Sequence, residues 1–364
     1  MMGYDFKYPF LLAKVTVQQY IKKQKKILEL KKQYQQVFRD KKRKNRKTVY
    51  LVMTPEHENY GDHAIALAET EFLQEHGVDY VEITGYGLEV LRNYGLLSIM
   101  NGSPIVFQGG GYLGTLWFES EVLLRQVIQE NPKSPIILLP NTIYYEGNNW
   151  GAEEFEKSVA VYGAHKNLHI YAREKQSYER MKTAYKNVKL IPDMVFSLDA
   201  AALQEVRSGC ILSLRADMEK TRTQEQDAMI LQQVSGLFGE NIRRSDMVSA
   251  SWIPVSQRKK AVYEKFREFS GAELVVTDRL HGMIFCVVTG TPCVVLDSKS
   301  PKVRGCYEWV KGLNYIRFAD DASQIIQAYE SIQQARDADV YDNSVFSDAF
   351  EELAKDMEAV FRWR

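Results

Sequence analysis

Short apolar runs alternate with helical stretches along most of the chain. From Thr48 onward, six runs rich in β-branched residues have the length of buried strands. They are residues 49–53, 80–84, 105–108, 136–139, 169–172 and 188–191. Segments with a helical period, such as 64–76 and 120–130, lie between them. This order predicts a parallel sheet with helices on both faces.

A second series of the same kind follows. Its predicted strands are residues 210–214, 247–250, 274–277 and 293–296, separated by helices such as 224–238 and 257–269. The natural boundary is near residues 199–208. We therefore expect an α/β protein with two doubly wound, Rossmann-like domains, 48–200 and 201–320, that face a cleft. Residues 321–364 are expected to form C-terminal helices, and the helix at 346–361 to cross back to the first domain.

The first 47 residues differ from the rest in pattern and in charge. They contain fifteen Lys or Arg against three Asp or Glu, a formal charge of +12 in a chain whose net charge is zero. Apolar residues recur at steps of three, four and seven, which places them on one face of a helix with lysines opposite. They are Tyr20, Ile21, Ile27, Leu28, Tyr34, Val37 and Phe38. The pattern predicts a basic amphipathic leader helix.

Two interpretations of this leader stay open. The helix packs on the body through its apolar face or pairs with a second subunit, which would give a homo-oligomer. Alternatively, its lysines contact an anionic membrane surface while apolar residues enter the interface. Those residues would be Tyr4, Phe6, Tyr8, Phe10, Leu11 and Leu12. Nucleic acid is not an expected partner, because no recognised binding motif accompanies the charge.

Composition restricts the class of protein and its location. With 364 residues, 45% of them hydrophobic, the chain is long enough to bury two cores. Its apolar runs are far shorter than the roughly 20 residues that cross a bilayer. We therefore expect a cytoplasmic protein, either free or peripheral at the inner face of the cell membrane. The four cysteines lack CxxC or metal-ligand spacing, so no metal site is predicted.

In open α/β sheets, ligands bind outside the carboxyl ends of the strands, so polar residues there are site candidates. In the first domain these are Asn59, Asp62, His63, Gly109, Gly110, Gly111, Asn141, Tyr144 and Arg173. The glycine run brings bare backbone amides near the cleft, which suits phosphate, carboxylate or sugar. It lacks the GxGxxG and GK[ST] patterns, so neither NAD nor ATP is favoured.

The second domain adds several cations at strand ends. Arg215 follows the first of its strands, and Lys302 lies beyond the last. The stretch "VVTDRLHGMIFCVVTGTP", residues 275–292, places Arg279, Leu280 and His281 where a strand passes into a helix. A helix N-terminus and an arginine fork both favour an anion. His281 is either a core histidine bonded to a backbone carbonyl or a proton donor activated by that anion.

Taken in order, these motifs resemble the polysaccharide pyruvyl transferase family. They are N-x-G-D near residue 59, G-G-G at 109, A-R-E followed by serine at 172, P-D at 192, S-L-R at 213, D-R-L-H-G at 278 and P-K-V at 301. The resemblance covers roughly residues 48–318. Where members often have glutamine and serine after the fourth strand, this chain has Asn141 and Thr142.

The resemblance implies a fold like that of two-domain (GT-B) glycosyltransferases and transfer of the enolpyruvyl group of phosphoenolpyruvate onto a sugar as a pyruvate ketal. The sugar would belong to an exo- or capsular polysaccharide or its lipid-linked precursor. Arg173, Arg279 and His281 would be catalytic and would bind the donor, joined by Leu280, the three glycines, Arg215 and Lys302. Asn59, Asp62, His63, Asn141 and Tyr144 would contact the acceptor. The proton of His281 would go to the methylene carbon or the bridging oxygen, and no cofactor or metal is expected.

Two other functions fit the same residues. A glycosyltransferase of this architecture would use a nucleotide sugar, and it predicts binding of UDP or GDP. A non-catalytic scaffold of a polysaccharide assembly would use the basic leader alone, and it predicts that small anions do not stabilise the protein.

Overall fold

The fold is described from a computed structural model. The structure describes the backbone of residues 7–203, 205–217, 219–335 and 341–363, and their side chains from residue 19 onward. The membrane-interface hypothesis for Tyr4 to Leu12 therefore lies outside the described side chains. None of the helices searched within these ranges is long and apolar enough to span a membrane.

The described residues form two parallel sheets. The first contains β1 Thr48–Thr54, β2 Asp79–Thr84, β3 Ile105–Phe107, β4 Gly110–Gly114, β5 Ile136–Tyr144, β6 Leu168–Ala172 and β7 Val188–Leu190. The second contains β8 Cys210–Ser213, β9 Ile242–Arg244, β10 Leu274–Thr277, β11 Cys293–Val295 and β12 Ile316–Phe318. Their orders are β2-β1-β3-β5-β6-β7, with β4 beside β5, and β12-β11-β10-β8-β9. The predicted fold class, two doubly wound α/β domains, is confirmed.

Helices connect the strands and cover both faces of each sheet. They are α1 Lys7–Leu30, α2 Val37–Lys44, α3 Tyr60–Glu75, α4 Gly85–Asn93, α5 Phe118–Glu130, α6 Asn149–Ala164, α7 Lys175–Ala184, α8 Gln224–Phe238, α9 Arg258–Ser270, α10 Leu280–Val288, α11 Lys302–Tyr307, α12 Ile325–Gln334 and α13 Ser347–Phe361. A π-helical segment, Lys31–Gln36, joins α1 to α2, so the leader is one continuous helix. Short 3₁₀ turns occupy Leu97–Met100, Met194–Ser197, Val255–Gln257, Ala322–Gln324 and Asn343–Phe346.

Two differences from the predicted elements affect the site. The glycine run is not a loop, because β4 pairs with the end of β5 and prolongs that strand to Tyr144. Residues 247–250 are not a strand of the second sheet, whose edge is Ile242–Arg244 instead. This segment extends to the first domain, where Val248 forms an antiparallel bridge with Asn59. Away from the site, the edge strand β12 was not among the predicted strands.

The two domains are held together by helices as well as by loops. Apolar residues of α3 and α9 belong to one continuous buried cluster that spans the domains. Arg258 of α9 lies 2.5 Å from the Glu82 carboxylate, and Lys259 lies 2.8 Å from that of Glu71. These contacts fix one sheet relative to the other, so the carboxyl ends of both sheets open on one cleft.

The C-terminal helix contacts the first domain. Asp356 of α13 accepts a hydrogen bond from the Tyr171 hydroxyl and pairs with Lys189 at 2.7 Å. Glu358 pairs with Lys47 at the end of the leader. The chain therefore returns to its first domain after completing the second.

Only part of the predicted apolar face of the leader is buried. Phe38 is buried and stacks on Tyr50 with ring centroids 4.2 Å apart, and Ile27 and Tyr34 pack on the same core. The other four apolar residues remain exposed to solvent. They are Tyr20, Ile21, Leu28 and Val37. The leader is therefore anchored on the first domain along one edge and exposes a second apolar edge beside its lysines.

Candidate functional site

A cavity of about 590 Å³ lies in the cleft and is lined by both domains. Most of the candidate residues from the sequence are on its wall. They are Asn59, Asp62, Gly109, Gly111, Arg173, Arg215, Arg279, Leu280, His281 and Lys302. The volume falls within the range of about 300–1,000 Å³ that is typical of small-molecule sites.

The strand-to-helix joint after β10 determines where His281 lies. Arg279 is extended and precedes α10, and its amide donates to Thr277 Oγ1 at 3.0 Å. Gly282 is needed for this tight joint, because a Cβ there would lie 2.4 Å from the same hydroxyl. The helix begins at Leu280, so His281 occupies its first turn and its ring faces the cleft.

The imidazole of His281 packs against the backbone of the opposite domain. A Cβ on Gly61, in the first turn of α3, would lie 2.2 Å from Nδ1 of His281. The other ring nitrogen, Nε2, is buried and has no hydrogen-bond partner among the described residues. A buried polar atom without a partner on the wall of a cavity is available to a ligand.

Asp193 connects His281 to Arg173. Its Oδ2 lies 3.6 Å from Nε2 of His281 and 2.8 Å from Nη1 of Arg173. Burial by itself would raise the pKa of Asp193, but the neighbouring imidazole and guanidinium hold that pKa well below its ordinary value. The carboxylate is therefore ionised and orients both groups. The sequence indicated Asp193 only as part of the P-D motif at 192, without a role in the site.

Arg173 is almost fully buried, at 2% exposure, yet it contacts the cavity. Its Nε donates to the Thr142 hydroxyl at 2.9 Å, which leaves Nη2 directed toward the glycine strand. A Cβ on Gly111 would lie 2.9 Å from that Nη2. Glycine at this position therefore gives the guanidinium its space.

The second-domain cations are neutralised by carboxylates in this structure. Arg279 donates two hydrogen bonds to Asp246, at 2.8 and 2.7 Å, and a third to Asp217. Arg215 and Lys302 both pair with Glu219, each at 2.7 Å. The sequence predicted several cations at strand ends but did not indicate these carboxylate partners.

The pKa values of Glu219 and Lys302 reflect both their burial and their pairing. Burial raises the pKa of Glu219, yet Lys302 and Arg215 outweigh it and lower the value to about 2. Burial also lowers the pKa of Lys302, against the opposing effect of Glu219. Glu219 therefore stays ionised at neutral pH and keeps the two cations in place.

Asp278 of the D-R-L-H-G motif supports the site without lining the cavity. It accepts a hydrogen bond from the backbone amide of Arg215 at 2.9 Å and pairs with the guanidinium of Arg222. Because Asp278 is fully buried, these two partners are what satisfy its carboxylate.

Four candidate residues do not line the cavity. His63 is buried and bonds the carbonyl of His57 at 2.7 Å, and burial lowers its pKa to about 4. Asn141 is buried inside the prolonged β5 and donates to Leu139, while Tyr144 lies near Glu146 at the far end of that strand. The fourth is Gly110. The acceptor contacts expected of His63, Asn141 and Tyr144 are thus not supported by their positions.

The glycine strand also differs from its expected role. The amide of Gly109 donates to Glu69 Oε1 at 2.7 Å and is therefore not free to bind a ligand. Burial raises the pKa of Glu69 well above its ordinary value, against the hydrogen bond from the Gly109 amide, which lowers it. Sequence reasoning missed Glu69 because nothing in a helical pattern marks a buried acid.

Other cavity residues escaped the sequence analysis because their exposure depends on the fold. They include three carboxylates, Glu56, Glu58 and Asp217, and three large aromatic residues, Tyr86, Trp117 and Trp252. Within the described residues, no group of three His, Cys, Asp or Glu side chains is placed to hold a metal ion. That the chemistry needs no metal stays a prediction.

Comparison with known proteins agrees with the motifs. A family model described as polysaccharide pyruvyl transferase matches residues 59–300. The chain is 32% identical to general stress protein 30 of Bacillus subtilis over 306 residues, 81% of this chain and 88% of that protein. It is 27% identical to pyruvyl transferase 1 of Schizosaccharomyces pombe, over 73% of this chain and 70% of that protein.

A solved structure shares the fold. An uncharacterised protein from Klebsiella pneumoniae aligns with a TM-score of 0.55 and 17% identity, over 77% of this chain and 95% of that one. At 17% identity, the match supports a shared fold and nothing more. The family assignment rests on the matched residues, which include the Asn59 loop, the glycine strand, Arg173 and the D-R-L-H-G joint. The chain belongs to the polysaccharide pyruvyl transferase family.

Proposed function

We propose that this protein transfers the enolpyruvyl group of phosphoenolpyruvate to two hydroxyls of a sugar in an envelope polysaccharide or its lipid-linked precursor. The observation that carries the proposal is the convergence of Arg173, Arg215, Arg279 and Lys302 on one cavity beside Nε2 of His281, which makes no hydrogen bond within the described residues and has the Asp193 carboxylate 3.6 Å away. Phosphoenolpyruvate is small and carries a phosphate and a carboxylate, so it needs several cations from different elements.

In this proposal His281 is the proton donor. The product ketal carries a methyl group, so the methylene carbon of the donor must gain a proton. Protonation of that carbon leaves an oxocarbenium-like centre at C2, to which the first sugar hydroxyl adds; the proton of that hydroxyl restores His281. The C2–O bond to phosphate then breaks with both electrons on oxygen. The second hydroxyl adds to C2, and its proton leaves with inorganic phosphate.

The arginines and Lys302 would stabilise the departing phosphate. Such preorganised charges act where water is excluded and contribute a large part of enzymatic rate enhancement. In this structure each cation has a carboxylate partner, so the donor must compete with one of them. Asp217 is the partner we expect it to displace, because it lines the cavity, as Asp246 does not, and its side chain is 32% exposed whereas that of Glu219 is 2% exposed.

The assay of the proposal is direct. The protein is incubated with phosphoenolpyruvate and a panel of sugar acceptors, and phosphate release and a pyruvate mass increment on the sugar are recorded. Joint appearance of both supports the proposal. Binding of UDP or GDP by calorimetry, with no effect of phosphoenolpyruvate, would instead support a nucleotide-sugar glycosyltransferase.

Arg279→Ala should weaken binding of phosphoenolpyruvate at least tenfold. The change removes a guanidinium from the cavity wall, deprives Asp246 of its paired cation and leaves Asp217 only the longer contact with Arg215, at 3.7 Å. Calorimetric titration with phosphoenolpyruvate measures the effect. Arg244→Ala is the matched control, since Arg244 is exposed and does not line the cavity. Equal affinity in wild type and Arg279→Ala would contradict the donor site.

The leader helix suggests where the protein works. We expect its lysines and exposed apolar edge, Tyr20, Ile21 and Leu28, to hold it against the anionic inner face of the membrane, where a lipid-linked acceptor would be presented. Sedimentation with phosphatidylserine vesicles tests this. Intact protein should co-sediment and Leu28→Glu should do so less; equal partition of the two would contradict membrane binding.

A further inference from the structure

Three large aromatic side chains on the cavity wall remain exposed to solvent. Tyr86 at the start of α4 is 63% exposed, Trp117 just before α5 is 44% exposed, and Trp252 in the segment before α9 is 59% exposed. The first two belong to the first domain and Trp252 belongs to the second. Both domains therefore contribute exposed aromatic rings to the wall of one cavity. Exposed apolar surface concentrated in a groove and rimmed by polar residues is typical of a binding site.

The cations and the carboxylates that line the cavity differ in their exposure to solvent. The cations are buried, with Arg173 at 2% exposure, Arg215 at 4% and Lys302 at 8%. Glu219 is buried with them, but two other carboxylates of the wall are more accessible, since the side chains of Asp62 and Asp217 are 31% and 32% exposed. Glu56 and Glu58 line the same cavity. An anionic ligand therefore fits the buried part, whereas the accessible part repels anions and offers acceptors for hydroxyl groups.

Rings and carboxylates together suit a neutral, polyhydroxylated ligand. The flat C–H face of a sugar ring packs on an aromatic face, and its hydroxyls donate to carboxylates. A nucleic acid would be repelled by four acidic side chains, and a lipid chain would remove those carboxylates from water without donating a hydrogen bond to them. A saccharide is therefore the ligand that can contact both the aromatic rings and the carboxylates.

We propose that Tyr86, Trp117 and Trp252 form an aromatic platform that binds the sugars neighbouring the one that is modified. The inference rests on the proposed function for the identity of the modified sugar. If the donor occupies the buried cations and the reacting sugar lies beside His281, the exposed rings are left for further residues of the same chain. The acceptor is then an oligosaccharide, and the protein selects for chain length.

The experiment compares binding of tetrasaccharides and matching monosaccharides of glucose, galactose and mannose by calorimetry, without phosphoenolpyruvate. Wild type should bind at least one tetrasaccharide tenfold or more tightly than its monosaccharide. Trp252→Ala and Trp117→Ala should each lose most of that difference. Trp150→Ala is the control, because Trp150 is 42% exposed but does not line the cavity.

The outcomes separate this inference from the proposed function. Chain-length preference that persists in both Trp252→Ala and Trp117→Ala overturns the platform, as does the absence of any tetrasaccharide preference in wild type. Tetrasaccharide binding that needs Trp252, in a protein that never releases phosphate, supports the platform and rejects pyruvyl transfer. Pyruvyl transfer with no dependence of acceptor KM on Trp252 rejects the platform alone.

Discussion

His281→Asn should lower the rate of pyruvyl transfer by roughly 10²- to 10⁴-fold, the usual contribution of a general acid. Asparagine still occupies the space over Gly61 but cannot carry an exchangeable imidazolium proton. Because Arg173, Arg279 and Lys302 are unchanged, binding of phosphoenolpyruvate should stay within a few-fold of wild type. The loss should therefore appear in kcat, measured from phosphate release at saturating donor, and not in the calorimetric Kd.

Two results would contradict this role of His281. A wild-type rate in His281→Asn would remove it from the chemistry altogether. A lost rate with equally lost donor affinity would make it a binding residue. His169→Asn is the matched control, because His169 lies on β6 and does not line the cavity; it should keep full activity.

Gly61→Ala should reduce activity at least tenfold without removing any reactive group. The new Cβ would lie 2.2 Å from Nδ1 and 2.5 Å from Cγ of His281, so the imidazole must move. Displacement of a catalytic group by about 1 Å can cost 10²-fold in rate. Alanine suits the first turn of α3 better than glycine, so helix propensity does not oppose the change. The measurement is kcat together with the melting temperature.

A control and a double variant make this second prediction specific. Gly163→Ala places the same methyl group on helix α6, where no atom lies within 4 Å, and should leave the rate unchanged. If Gly61→Ala acts by displacing His281, the double variant Gly61→Ala/His281→Asn should be no slower than His281→Asn alone. Multiplicative losses would show that Gly61 acts elsewhere, and full activity of Gly61→Ala would show that the ring moves freely.

Both predictions depend on the contact between Gly61 and His281, which neither sequence motif predicts by itself. The N-x-G-D segment lies on the first domain and the D-R-L-H-G segment on the second, yet Gly61 and His281 are in van der Waals contact. The bridge between Asn59 and Val248 and the ion pair of Arg258 with Glu82 hold the domains in this relation. The site is therefore assembled by domain packing, and variants at the interface should alter it without touching the cavity.

The elements nearest the site show what the sequence could not predict. Asn141 follows an apolar run, so it was expected at a strand end. Pairing with the glycine strand instead extends β5 to Tyr144, three residues beyond Asn141, and buries Asn141. The run at 247–250 has the pattern of a strand, but Ile242–Arg244 takes the sheet edge. In both cases a partner strand distant in sequence decided the outcome, as is usual for β structure.

The sequence by itself determined the fold class, the charge of the leader and the motifs of the cleft. Apolar periodicity is a local property, and ligand-binding residues of parallel sheets follow the strands in sequence. Only the tertiary structure decided which carboxylates neutralise Arg279 and Lys302, which carboxylate lies beside Nε2 of His281, and which aromatic rings face solvent. Such contacts join residues far apart in the chain, as Asp193 and His281 are, and they exist only once the two domains pack.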